Sequence, residues 1–145
     1  MPDVYVPSVG PPQGPPPDAA IYAAMGDDGI RAMLRDFYRE LARSPVAHLF
    51  PVDEVGLQEA ADRSALFFVT VCGGPPLYAQ KYGPPRMRAR HLPFALDSSA
   101  RRAWLDCWKP VLAGCGARYG FPEGHLEGFR RFLDGFSAWM VNRAG

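Results

Sequence analysis

The sequence predicts an all-α fold. Three observations carry that prediction. Apolar residues recur at steps of three and four along four separate stretches, the spacing of one helical face. No stretch alternates apolar and polar residues with the strand period of two. Proline and glycine cluster mainly between the periodic stretches, where they punctuate helices.

Residues 1–18 hold Pro11-Pro12-Gln13-Gly14-Pro15-Pro16-Pro17 and no periodicity, and read as a flexible, polyproline-like arm. Their start is neither basic nor followed by an apolar run, so a signal peptide is not expected. Residues 19–145 form the single expected domain. A first helix is predicted from Asp27, with Ile30, Met33, Leu34, Phe37 and Leu41 on one face and Asp27 or Asp28 as its cap. Ser44-Pro45 ends it, and residues 46–50 allow one short turn before Pro51. A second helix runs from Glu54 to Val71, with Ala60, Ser64, Phe67, Phe68 and Val71 sharing a face, and stops at Gly73-Gly74-Pro75-Pro76. The segment that follows carries Pro84, Pro85 and Pro93 and little periodicity. A long irregular segment inside a compact domain is the mark of a functional loop.

Asp97-Ser98-Ser99 caps a third helix whose stripe is Trp104, Leu105, Trp108, Val111, Leu112 and Cys115, with a kink expected at Pro110. Glycines at 114, 116 and 120 mark its end. Pro122 is expected in the first position of the last helix, where Leu126, Phe129, Phe132, Leu133, Phe136, Trp139 and Met140 run down one face. The result is four main helices and one long loop.

Composition narrows the functional classes. A chain of 145 residues with 48% apolar residues can bury one core. A net charge of +1 gives no global attraction to nucleic acid or anionic lipid. No apolar run is long enough to span a membrane. Cys72, Cys107 and Cys115 are odd in number and form no C-x-x-C pair, which suits reduced core thiols in a cytoplasmic protein. Cysteines and histidines never cluster at zinc-ligand spacing.

The chemistry concentrates in Arg86-Met87-Arg88-Ala89-Arg90-His91-Leu92-Pro93-Phe94. A neutral imidazole is a good axial ligand for haem iron. Arginines just before it are placed to meet the anionic propionates of a haem. Pro93 halts any helix carrying the histidine and leaves it on a short turn. The other two histidines lack such surroundings: His48 precedes an apolar turn, and His125 sits among acids in the last helix.

The segment is flanked by an ordered pattern. Gly73-Gly74-Pro75, Tyr78, Gly83, Pro85, Arg88, Arg90-His91 and Pro93-Phe94 come first, followed by Arg101-Arg102-Ala103-Trp104-Leu105-Asp106-Cys107. Over residues 21 to 140 this pattern resembles the truncated haemoglobins, most closely the group II, trHbO-like branch. The resemblance implies a two-on-two helical sandwich, in which the four main helices take the letters B, E, G and H and a one-turn F helix surrounds His91. It implies haem b as cofactor and His91 as the proximal ligand. Arg90 would pair with a propionate and Phe94 would pack on the proximal face. Phe50 matches the aromatic that wedges the haem after the C helix, and Phe67, Tyr78, Tyr82 and Met87 join it around the cofactor. Arg86 and Arg88 face either solvent or the propionates.

On the distal side, dioxygen polarised by a haem accepts hydrogen bonds. Tyr38 matches the family's distal tyrosine, and Trp104 the tryptophan over the haem, whose indole N–H can only donate. Ala60 falls where many globins carry a distal histidine and cannot donate, while Ser64, one turn on, offers a hydroxyl. The sequence departs from the pattern at Arg102, where an acid is usual, at Trp108, where methionine is usual, and by two extra residues between Phe50 and Ala60. These departures bear on the distal geometry.

The implied function is reversible binding of dioxygen, carbon monoxide and nitric oxide by a monomer or homodimer, for transport or sensing. Two other readings remain open. One is a redox enzyme on the same haem, a nitric-oxide dioxygenase or peroxidase served by an external reductase. The other is a haem-free helical module that docks through the proline arm.

Overall fold

A computed structural model describes residues 4–145. Among these, no strand is formed, and the architecture is all-helical. The α-helices are α1 (Ala20–Ala42), α2 (Glu54–Val71), α3 (Leu77–Tyr82), α4 (Met87–His91), α5 (Ser98–Leu112), α6 (Cys115–Tyr119) and α7 (Leu126–Met140). Short 3-10 turns at Ala47–Leu49 and Glu123–His125 complete the order. The four long helices form two packed pairs, α1 with α2 and α5 with α7, and α1 also packs on α5.

The apolar stripe of α1 is buried as its periodicity predicts: Ile30, Met33, Leu34 and Leu41 are all fully covered. The helix begins earlier than the sequence suggests. An extra piece from Ala20 precedes Gly26, whose backbone (φ 64°, ψ −176°) is non-helical and separates it from the stretch that starts at Asp27. Asp27 is not a cap there, since its carboxylate accepts the Tyr22 hydroxyl at 2.9 Å.

Helix α2 has the predicted bounds, and the Asp53 side chain caps it by accepting the Gly56 N–H. It has two working faces. Ala61, Ala65, Phe68 and Val69 are buried, and the small alanines allow α1 to lie close. One step round, Ala60, Ser64 and Phe67 line a cavity. The segment expected to be irregular contains α3 and the single turn α4. Pro110 sits in the last turn of α5, which runs on to Leu112. The glycine-marked end of α5 holds α6 between left-handed Gly114 and Gly120. Pro122 does not open the last helix. It precedes the Glu123–His125 turn, and α7 starts at Leu126.

A cluster of rings joins the helix pairs. Phe37 stacks on Trp108 at 4.0 Å between centroids, and Trp108 meets Phe129 edge-on at 5.6 Å. Trp108 therefore acts as a core plate. All three cysteines are free and buried. Residues 4–17 carry no helix. Within them Pro7 and Pro17 are buried, and the Tyr5 N–H donates to the Asn142 carbonyl at 3.1 Å.

Candidate functional site

A cavity of about 830 Å³ opens between the two helix pairs. Pockets of about 300–1,000 Å³ hold ligands of drug or cofactor size. Its walls are mainly apolar, with polar groups at a few points.

His91 ends α4 and lines this cavity. The N–H on its Nδ1 is directed at the Met87 carbonyl at 2.6 Å, one turn back on the same short helix. That bond selects the tautomer with a free lone pair on Nε2. Burial lowers the pKa of the ring, against the Met87 bond that raises it, which favours the neutral form. A neutral imidazole with one nitrogen anchored is the form a metal takes as ligand. Among the described residues there is no group of three or more His, Cys, Asp or Glu that could hold a bare ion; His91 stands beside a large, mainly apolar space.

The distal candidates converge on the same cavity. Tyr38 enters from α1, Ala60 and Ser64 from α2, and Trp104 from α5. Burial pushes the Tyr38 phenol up from 10, while the Ser64 hydroxyl and the Arg63 charge pull it down. Its ring meets Phe50 edge-on at 5.5 Å. The Trp104 ring stands edge-on to Phe37 at 5.4 Å, and beside it the buried indole N–H of Trp108 has no partner among the described residues. Phe50, Phe67, Tyr78, Met87 and Phe94 also line the space, Phe94 at a rim where it is 41% exposed. Tyr82 does not. It packs on Tyr78 at 5.1 Å, and its carbonyl accepts from Arg90.

Arg90 lies on the wall, but its donors hold the preceding loop. Nε donates to the Pro85 carbonyl at 2.6 Å, and Nη2 to the carbonyls of Tyr82 and Pro84 at 2.9 and 3.1 Å. Arg88 turns the other way, toward the end of α7. Arg86 adopts a left-handed backbone (φ 41°) ahead of α4. Neither His48 nor His125 lines the cavity. His125 lies in the 3-10 turn ahead of α7, not inside that helix, and its ring is 3.9 Å from Asp18.

Sequence reasoning missed three polar residues. Arg63, on the cavity side of α2, makes no ion pair among the described residues and could meet an anionic group at the rim. Its position three after Ala60 was a usable signal. Arg101 lines the opposite wall and is tied to Ser137 and Asp134 at 3.1 and 2.7 Å. Asn142 is wholly buried behind His91, and no local pattern announced it.

Comparison with known proteins gives one consistent picture. The family model described as "Bacterial-like globin" matches residues 20–134. The group 2 truncated hemoglobin YjbI of Bacillus subtilis is 36% identical over 111 residues, covering 76% of this chain and 78% of its own. Phosphate-bound Hell's gate globin IV superposes with a TM-score of 0.84 at 36% identity, over 92% of this chain and 81% of that one. The truncated oxygen-avid haemoglobin of Bacillus subtilis superposes with a TM-score of 0.73 at 34% identity, over 83% and 98%.

Proposed function

The chain belongs to the bacterial-like globins, and among them to the group II truncated haemoglobins; from that premise we propose that it holds haem b in the interhelical cavity, through His91, and binds dioxygen reversibly. Haem-based binding of diatomic gases is the property of the family. The observation that carries the finer reading is the His91 ring, anchored through Nδ1 to Met87 on the wall of an 830 Å³ cavity. The residues present fit the cofactor. A flat apolar group suits walls built from Phe50, Phe67 and Phe136, and Arg63 supplies a cation for its acidic edge.

When bound, the haem supplies the iron that takes the gas. The protein's own residues do the rest. His91 Nε2 would hold that iron, and the Met87 carbonyl fixes the ring's tautomer and orientation. The Tyr38 hydroxyl and the Trp104 indole N–H are donors for a polar diatomic guest, which favours dioxygen over carbon monoxide. Ala60 leaves the helix α2 side open, because its methyl group neither donates nor blocks entry. Aromatic walls keep water scarce, which strengthens each donor.

Substitution of His91 by alanine tests the assignment. The His91→Ala protein should fail to retain haem, or retain it in a form that added imidazole restores, read by ferric, ferrous and carbon-monoxide spectra. A wild-type spectrum and wild-type haem retention would remove His91 from the role.

A further inference from the structure

Resting on the haem reading above, we infer that Asn142 and Arg88 are positioning residues for the proximal histidine, fastening its turn from behind to the end of α7. Asn142 lies two residues past α7 and is 0% exposed. A fully buried amide is costly unless each polar atom is met. Here each one is. Nδ2 donates to the His91 carbonyl at 3.2 Å and the Phe94 carbonyl at 3.0 Å. Oδ1 accepts the Leu96 N–H at 3.0 Å and Arg143 Nη1 at 3.2 Å. The main chain adds the Asn142 N–H to the Leu96 carbonyl at 2.8 Å. One side chain thus fixes three backbone groups between His91 and Leu96, the stretch that leaves the single-turn helix.

Arg88 grips the same turn from its other end. Nη1 donates to the carbonyls of Trp139 and of Val141, the latter at 2.9 Å, and Nη2 to the Tyr5 carbonyl at 2.7 Å. Its guanidinium also lies over the Trp139 ring, 4.5 Å from the centroid. The Trp139 and Val141 carbonyls are among those a helix end leaves without partners, so the α7 terminus and the His91 turn complete one another. The five residues of α4 are too few to hold a shape alone. Ring orientation at a metal is set by what holds the ligand, and here that includes the ligand's own carbonyl.

The test uses the haem-loaded full chain and two variants, Asn142→Leu and Arg88→Gln. The readouts are the iron–histidine stretching band of the ferrous protein in resonance Raman and the rate of haem transfer to an acceptor globin. Both variants should shift or broaden the band and speed haem transfer by about 10–100-fold. Val111→Ala, a core truncation away from the turn, should lower the melting temperature and leave the band in place. An unchanged band in both variants, or the same change in Val111→Ala, overturns the inference. If Asn142→Leu does not fold, Arg88→Gln alone decides. Hydrogen exchange at the Leu96 amide, faster in Asn142→Leu even without haem, separates this claim from the cofactor assignment. A wild-type chain that takes up no haem at all would overturn both.

Discussion

Tyr38 keeps its proton at neutral pH, because burial holds its phenol above the usual value of 10. It is therefore available as a donor, not as an anion, for the proposed guest. A hydrogen bond to a charged or strongly polar acceptor in a dry site contributes about 1.5–3 kcal/mol. Tyr38→Phe or Trp104→Phe should accelerate dioxygen release by about one to two orders of magnitude. Carbon monoxide release should change less, and the double mutant should fall short of the sum because the two donors share an acceptor. Stopped-flow dissociation measures this, and wild-type rates in both single mutants would reduce the two rings to packing. At this scale the sequence was informative where signals were local. Met87, His91 and Pro93 lie within seven residues, and the tautomer bond runs from residue i to i−4. Arg90 was legible as a cation near the site but not as the clamp of the 82–85 carbonyls, which depends on how that loop folds back. Asn142 was invisible, since its partner His91 lies 51 residues away.

Helix α1 approaches the end of α2 through a gap that only glycine fits. A Cβ on Gly73 would stand 2.5 Å from the Ala19 Cα, and its φ of +98° is one that side-chain-bearing residues avoid. Gly73→Ala should destabilise the fold by more than the roughly 1–3 kcal/mol of a strained dihedral alone. Gly26→Ala provides the comparison, with a positive φ and nothing within 4 Å of its would-be Cβ. Urea unfolding of both variants measures the difference, and equal losses would mean that the Ala19 contact costs nothing. The four long helices were readable because each repeats its apolar face over several turns. Helices α3 and α6 and the first piece of α1 were not, because five or six residues give no period to detect. Pro122 misled for a related reason: its fixed φ suits a helix start, but a 3-10 turn intervenes before α7.

Across the molecule, α6 is fastened to α1 by the Tyr119 hydroxyl, which donates to Asp36 at 2.5 Å. Burial, then the bond to Asp36 and its charge, raises the pKa of that phenol. A group whose pKa rises on folding stabilises the fold fully below its unfolded value, near 10, and loses that contribution as pH climbs through the folded value. The melting temperature should therefore fall above about pH 10. Tyr119→Phe should be less stable at pH 7, by about 1 kcal/mol, and show a shallower alkaline decline. Calorimetry across that range measures it, and parallel curves would exclude Tyr119 from the alkaline limb. The fastening of the His91 turn has a consequence in time. Chains emerge in order, and a domain folds as a unit. The segments of α1 and α2 are synthesised before the strap that steadies the His91 turn. Until Asn142 leaves the ribosome, His91 sits on a turn with nothing behind it. A nascent chain stalled before residue 139 therefore carries His91 on a turn that lacks the α7 end and Asn142 to hold it.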